Sequence, residues 1–234
     1  MSNWLKTILF LIGSVFLTRW IPFSSLFRNL DTMIHEFGHA AVTLLLSGRV
    51  LRIELYADHS GVTYSAVQAG FRSVLVALAG YTSASLFALL LFRLYVKGRK
   101  DWGLILSTAV AVVMLALYVR GSFGMLWLTG FACLNMIMLM AGNGIRTFYY
   151  LLLAFLTLEE SVVGALYLVF AAAGSPGGAG DATNLARLTG VPAVFWAILF
   201  LAFALICAKW ALGAFFQSKG TLRMSKRAVY PEKE

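Results

Sequence analysis

Thr32-Met33-Ile34-His35-Glu36-Phe37-Gly38-His39-Ala40-Ala41 is the stretch that decides how this chain is organised. It lies in a long apolar segment and holds two of the three histidines of the protein, four residues apart. On a helix, positions i and i+4 project from the same face, so His35 and His39 can bind one metal ion between them. Glu36 follows the first histidine directly and can reach a water molecule on that metal, which is the position of a general base in zinc hydrolases.

A buried helix that carries these polar side chains without a metal is the simpler alternative. A lone histidine on an apolar face is usually a hydrogen-bonded core residue. Burying two histidines and a glutamate together, however, is costly unless the side chains are paired or bind a metal. The triplet therefore favours a metal site, with His35 and His39 as ligands and Glu36 as base.

The composition is that of an integral membrane protein. Of 234 residues, 60% are hydrophobic and 12% are charged, whereas soluble chains carry about 25% charged residues. Seven apolar stretches approach or exceed the roughly 18 residues that a helix needs to cross a bilayer. They are 4–21, 30–47, 73–96, 102–119, 122–142, 147–173 and 191–213. We predict an all-α polytopic bundle of about six or seven transmembrane helices, with one domain over 1–218 and a basic tail over 219–234.

The net charge of +9 is explained by membrane topology. If all seven stretches cross, thirteen of the 19 lysines and arginines collect on one side. Such residues accumulate on the cytoplasmic side of membrane proteins. The distribution predicts an outside N-terminus and a cytoplasmic basic tail, and it indicates a lipid bilayer rather than nucleic acid as the partner of the basic residues.

Two regions depart from the helical pattern. Residues 50–56 alternate in polarity and 62–64 resume the alternation, which predicts a β-hairpin with a turn at 57–61. Residues 174–180 are too rich in Gly and Pro to continue a helix. A short helix is expected over 181–188, with Asp181 as its N-cap, and Asp31 is expected to cap the motif helix.

A hydrolytic zinc site usually has three protein ligands and one open position, so a third ligand is needed. His59 is the remaining histidine, but its place in the hairpin turn favours a solvated side chain. Glu159 and Glu160 are carboxylates within a predicted span, and such residues are functional by default. Asp181 follows a flexible segment that can enter the bundle, although it can equally be an ordinary helix cap.

Several motifs resemble the site-2 protease family, in particular its small bacterial B-like branch. The resemblance covers most of the chain, and the residues that carry it are His35-Glu36-Phe37-Gly38-His39-Ala40, Ala79-Gly80-Tyr81, 181–192 and Trp196. Pro176 stands five residues before Asp181, as a proline does in the second motif of the family. Two positions differ, since Ala173 and Ala182 replace the usual asparagine and glycine.

The resemblance implies an intramembrane zinc metalloendopeptidase that cleaves membrane-anchored proteins in regulated proteolysis. It implies Zn²⁺ held by His35, His39 and Asp181, Glu36 as general base, and a bacterial cell membrane as the location. The alternative function is a non-proteolytic scaffold or regulator that retains the fold and the metal site. A zinc transporter is a third class, but it requires more ionisable residues along the bundle than this chain has.

Seven full crossings have a geometric consequence. The motif helix would then enter from the cytoplasmic side and Asp181 from the opposite side. His39 lies eleven residues past Arg28, which is roughly 16 Å into the membrane at 1.5 Å per residue. We therefore expect the ligands to meet near mid-depth, unless a stretch between 102 and 173 does not cross completely.

Overall fold

The computed structural model describes residues 3–20 and 24–229. That part of the chain contains eight α-helices and one two-stranded antiparallel sheet, so the predicted all-α polytopic membrane fold is confirmed. The elements are α1 Asn3–Arg19, α2 Ser25–Leu45, β1 Arg49–Leu55, β2 Gly61–Ala66, α3 Phe71–Val96, α4 Lys100–Leu117, α5 Ser122–Met140, α6 Asn143–Gly174, α7 Gly180–Thr189 and α8 Ala193–Val229.

All seven predicted stretches coincide with helices, and five of these helices are long and apolar enough to cross a membrane by length and composition. These five are α3, α4, α5, α6 and the part of α8 up to Gln217. Helix α1 has 17 residues, and α2 carries the polar motif. Helix α8 continues to Val229, through most of the predicted tail, and residues 230–234 lie outside the described part.

The direction of α1 is fixed by its contacts with α6. The ring of Phe10 lies against those of Phe148 and Phe155, and the Thr18 hydroxyl donates a hydrogen bond to Glu159. The residue numbers rise together along both helices, so α1 and α6 are parallel.

Helix α8 runs the opposite way to α6. Phe215, late in α8, contacts Phe155, whereas Ala193 and Ala197 at its start share a buried cluster with Ala172 near the end of α6. The start of α1 and the end of the apolar part of α8 therefore lie at the same end of the bundle. The prediction that the N-terminus and the basic tail lie on opposite sides is wrong, because α2 and the hairpin do not add a further crossing between them.

The predicted hairpin is present, with a turn at 56–60 instead of 57–61. Its first strand is paired on both sides. Along β2 it forms the antiparallel ladder, and on the other side Ile53 exchanges backbone hydrogen bonds with Tyr118 and Arg120 in the α4–α5 connection, both at 2.9 Å. Strand β2 pairs only with β1 among the described residues, so β2 is the edge strand.

The two predicted helix caps are wrong. Helix α2 begins at Ser25, so Asp31 lies in its second turn, on the face that lines a cavity described below. Helix α7 is preceded by Ala179, and no side-chain hydrogen bond caps its first turn. Asp181 is therefore free to bond elsewhere.

The motif helix packs closely on α3. A Cβ at Gly38 would collide with the side chain of Ser83 and the carbonyl of Ala79, so glycine allows the two helices to approach. His39 lies beside Val76, five residues from the start of α3, or about 8 Å along the helix. The motif is therefore nearer to the hairpin end of the bundle than the predicted mid-depth.

Candidate metal centre

Three side chains from two distant parts of the chain converge at one point. His35 Nε2, His39 Nε2 and Asp181 Oδ2 form a triangle whose three sides are each 3.1 Å. The histidines come from α2 and the aspartate from the first turn of α7. This is the only group of three metal-ligating side chains that the described residues bring within reach of one ion.

The backbone of α3 orients one of the histidines. Nδ1 of His39 lies 2.7 Å from the carbonyl oxygen of Val76. A carbonyl only accepts, so Nδ1 carries a hydrogen, and in the neutral imidazole Nε2 then presents a lone pair to the cluster. His35 is placed by the ring of Tyr81, which meets it edge-on at 4.7 Å between centroids.

Gly80 makes room for both imidazoles. A Cβ at this position would collide with Nε2 of His35 and Nε2 of His39. The α3 backbone therefore passes directly beside the two donor atoms. Gly80 belongs to the Ala79-Gly80-Tyr81 motif of the family resemblance, but the sequence alone does not indicate its role.

Asp181 is delivered by the Gly-rich connection after α6. A 3-10 turn at Pro176–Gly178 leads to Gly180, whose φ of +45° favours glycine. Thr183 holds this connection, since its hydroxyl donates to the Pro176 carbonyl at 2.6 Å and accepts the amide of Ala179 at 2.9 Å. The predicted entry of this segment into the bundle is what brings Asp181 to the histidines.

The electrostatics at Asp181 favour the charged carboxylate. Burial raises the pKa of Asp181, but the positive charge of a protonated His39 and the contacts with both imidazoles lower it by more, so that the net pKa is below its usual range. Its Oδ2 lies 3.1 Å from a ring nitrogen of each histidine. An ionised carboxylate and two imidazole nitrogens, which offer lone pairs once they are deprotonated, form a set of ligands that suits a metal cation.

Zinc fits this arrangement. Tetrahedral zinc with bonds of about 2.0–2.1 Å places its ligand atoms about 3.3 Å apart, close to the 3.1 Å sides of the triangle. Two imidazoles and one carboxylate are also a ligand set found in catalytic zinc sites, which leave a fourth position open. His35, His39 and Asp181 are thus the residues that would hold the ion.

Glu36 lies beside this cluster and is held by the hairpin. Its side chain is buried, with 4% of the residue exposed. Its Oε2 accepts a hydrogen bond of 2.6 Å from the Thr63 hydroxyl, and Gly61 packs against its Cγ and Oε1. Neither Gly61 nor Thr63 was assigned a role from the sequence, because strand pairing decides which hairpin residues face α2.

The other carboxylates that the sequence offered as ligands are occupied elsewhere. Glu160 contacts Arg19 at 2.7 Å and Arg28 at 3.0 Å, and Glu159 accepts a hydrogen bond from Thr18 and lies 3.5 Å from Arg19. We call Arg19, Arg28, Glu159 and Glu160 the ionic cluster. Each glutamate has an arginine partner, and neither glutamate belongs to the metal-ligating group.

His59 is half-buried rather than solvated. Its carbonyl accepts a hydrogen bond of 2.7 Å from the Thr32 hydroxyl, so the hairpin turn is tied to α2. The side chain lines the cavity but does not belong to the group of three ligands.

A cavity of about 840 Å³ connects these features. It is lined by all three candidate ligands, Glu36, the inner side of β2, one face of α7 and the last turns of α6. Asn184 and Arg187 of α7 also face it, whereas Ala173, at the position of the family asparagine, does not. A metal ion at the triangle would therefore be open to a molecule in this cavity.

The comparison with known proteins agrees with the motif. A sequence profile of the family described as Peptidase M50B-like matches residues 8–211, which is most of the chain. No curated protein and no solved structure matches the chain significantly. The matched region contains α2, the hairpin and α7, and hence every residue of the candidate metal centre. The chain belongs to the Peptidase M50B-like family, within the site-2 protease family.

Proposed function

We propose that this protein is an intramembrane zinc metalloendopeptidase that cleaves membrane-anchored proteins. The observation that carries the proposal is the triangle of His35, His39 and Asp181 in one cavity with Glu36. A carboxylate beside a metal site, with one oxygen still available, is what hydrolysis requires. A scaffold that only retained the fold would have no chemical need for it.

The chemistry divides between the ion and the chain. Zinc bound in such a site lowers the pKa of a water molecule and polarises a carbonyl group. Glu36 accepts a proton from the attacking water and delivers it to the leaving nitrogen as the peptide bond breaks. The two histidines and Asp181 fix the position at which these events occur, and the buried site limits competing water.

The substrate has to present an extended segment. A peptide bond within a helix is shielded by the helix itself, so a transmembrane substrate must unwind before it is attacked. Strand β2 has a free edge, and Gly61, Val62, Thr63 and Ser65 line the cavity. We call His35, His39 and Asp181 the metal cluster. We propose that the unwound segment adds to β2 as a further strand, which places the backbone of the substrate beside the metal cluster.

The location follows from the distribution of charge. We propose an integral protein of a bacterial cell membrane with the basic tail in the cytoplasm. The start of α1 lies at the same end of the bundle as that tail, and the metal centre lies towards the other end. On this topology the cavity opens towards the extracytoplasmic side.

Zinc content and cleavage together test the proposal. Purified protein in detergent should contain about one zinc per chain and should cleave fluorescent transmembrane peptides or labelled casein. Glu36→Gln should retain the zinc and reduce cleavage by at least about 1,000-fold, because the amide cannot accept the proton from water. Equal cleavage by Glu36→Gln and the parent protein would exclude this mechanism.

The matched control is Glu159→Gln, which removes one charge in the same way from a buried position outside the metal cluster. It should leave zinc content unchanged. Zinc binding in the parent protein without cleavage of any membrane-anchored substrate would instead favour the scaffold or regulator.

A further inference from the structure

We propose that Thr63 is a positioning residue for Glu36: its hydroxyl fixes the carboxylate so that one oxygen, Oε1, faces the reacting water. This inference rests on the proposed function, since it assigns a role within the same site. It makes the hairpin part of the catalytic apparatus as well as a docking strand.

The geometry of the contact is specific. The Thr63 Oγ1 lies 2.6 Å from Glu36 Oε2 and 3.2 Å from the Glu36 carbonyl oxygen. A hydroxyl has a single hydrogen to donate, so the shorter contact is the hydrogen bond. Bonds between a hydroxyl and a carboxylate are shorter and stronger than neutral ones. Thr63 therefore occupies one carboxylate oxygen and leaves the other unoccupied.

Gly61 defines the place of the second oxygen. A Cβ at Gly61 would lie 2.8 Å from both Cγ and Oε1 of Glu36. Residues two apart on a strand share one face, so Gly61 and Thr63 both face α2. The burial of alternate residues along β2 agrees with this, since the odd-numbered residues are less exposed than the even-numbered ones. The glutamate is thus enclosed between a hydroxyl that binds Oε2 and a glycine that leaves space at Oε1.

The hairpin is anchored firmly enough to hold a side chain in place. Thr32 ties its turn to α2 through the His59 carbonyl. On the far side, Ile53 is bonded to the α4–α5 connection. Thr63 is paired with Ile53 across the ladder, so the strand that carries it is supported from both directions.

A purely structural role for Thr63 predicts a different pattern of effects. If the hydroxyl only joined the hairpin to α2, its loss would loosen substrate binding and fold stability together. A positioning role predicts a loss in kcat with little change in KM, because the geometry of proton transfer changes while the docking strand remains. The two roles are therefore separable by kinetics.

Thr63→Val and Thr63→Ser form the first test. Valine keeps the shape and removes the hydroxyl, and we expect kcat to fall about 10- to 100-fold, as for misplaced catalytic groups, with KM and zinc content within about two-fold of the parent protein. Serine keeps the hydroxyl and should restore kcat to within about three-fold. Thr129→Val makes the same change in α5, where the hydroxyl bonds only to the Met125 carbonyl of its own helix, and should leave kcat unchanged. Equal kcat in Thr63→Val and the parent protein would overturn the proposal.

The second test does not depend on turnover. Leucine hydroxamate chelates zinc and shares a proton with the neighbouring carboxylate, so its affinity for the zinc-loaded protein, measured by calorimetry, reports the position of Glu36. Thr63→Val should weaken this affinity about 10- to 100-fold, as expected for the loss of a hydrogen bond to a charged group, and should have no effect when Glu36 is already alanine. The same loss in both backgrounds would show that Thr63 acts through the fold. A weakened hydroxamate affinity in a protein that cleaves no peptide would uphold the contact while refuting the protease.

Discussion

Two groups of acidic side chains lie within the bundle, and they differ in what lies opposite each carboxylate. In the ionic cluster, Glu159 and Glu160 face Arg19 and Arg28, whose guanidinium groups keep their charge. Among the described residues, Asp181 pairs only with the two imidazoles of the metal cluster, which can lose a proton and then offer lone pairs. A carboxylate is thus paired with a fixed cation of the chain in one place and left open to a metal cation in the other.

The difference teaches how to read an ionisable residue in a membrane protein. Carboxylates within apolar helices are rare and costly, so each one suggests a function. A carboxylate with an arginine partner has already been neutralised and contributes to the fold. One that converges with other lone-pair donors, and with no cation of its own, indicates a ligand from outside the chain.

The largest expected effect is on zinc affinity, which should fall for substitutions in the metal cluster and not for those in the ionic cluster. Asp181→Asn should weaken zinc binding by at least about 100-fold, and His35→Ala and His39→Ala should abolish it, because a catalytic zinc needs all three protein ligands. Glu160→Gln should change zinc affinity less than about two-fold. Competition with a chromogenic chelator measures all four. If Glu160→Gln lost zinc and Asp181→Asn kept it, the assignment of the clusters would be reversed.

The next effect concerns the free energy of unfolding. Here we expect the substitution in the ionic cluster to have a larger effect than the substitution in the metal cluster. Removing one partner from a buried ion pair costs about 3–5 kcal/mol, and we expect about 2–3 kcal/mol for Glu160→Gln because Arg19 and Arg28 are partly exposed. The unfolding free energy in mixed detergent micelles should fall accordingly. Asp181→Asn in zinc-free protein should cost less, since the imidazoles that face Asp181 can lose their charge by deprotonation, whereas Arg19 and Arg28 cannot. A more destabilising Asp181→Asn would mean that the metal cluster supports the fold even without metal.

A smaller effect is expected from the backbone that supports the metal cluster. Gly80→Ala should weaken zinc binding by about ten-fold or more, because the added methyl group collides with both histidines and two ligands must then shift. Gly130→Ala in α5 is the control, since a Cβ there meets no atom within 4 Å. Zinc titration of both proteins makes the comparison, and equal affinities would show that the helices can separate without loss of the site.

The last prediction concerns the side of the membrane on which the metal cluster lies. The substitutions that test it should not change activity. A cysteine in place of Arg49, at the base of the hairpin, should react with a membrane-impermeant maleimide in intact cells. A cysteine in place of Lys97, in the α3–α4 turn at the other end, should react only after permeabilisation. Labelling in the reverse order would place the basic tail outside.

Hydrophobic patterning and motif spacing predicted most of the secondary structure. The seven apolar stretches, the hairpin and the short helix near Asp181 are all present, because each depends on local sequence. The number of crossings was harder to predict. Helix α2 is apolar enough to resemble a span, but its direction depends on how it packs against α3 and the hairpin. For that reason the predicted placement of the two ends of the chain on opposite sides disagrees with the fold, in which both lie at the same end of the bundle.

The sequence indicated which residues could bind a metal, but it did not indicate which of the carboxylates meets the two histidines. His35 and His39 follow from their spacing, whereas Asp181 lies 142 residues from His39 and was one of several open choices from the residues alone. Thr63 carried no signal of its own, since a threonine in a strand is common, and Gly80 was singled out only as part of a motif that resembles the family, without a role. Their importance comes from tertiary contacts with Glu36 and the histidines.

The bonds between Ile53 and the α4–α5 connection have a consequence for how copies of the protein behave towards each other. An unpaired strand edge is a template on which another chain can aggregate. Residues 118–120 cover the outer edge of the hairpin, and the remaining edge lies along a cavity that a folded neighbour cannot enter easily. A short sheet in a crowded membrane is thereby kept from self-association, while an unwound chain still has access to it.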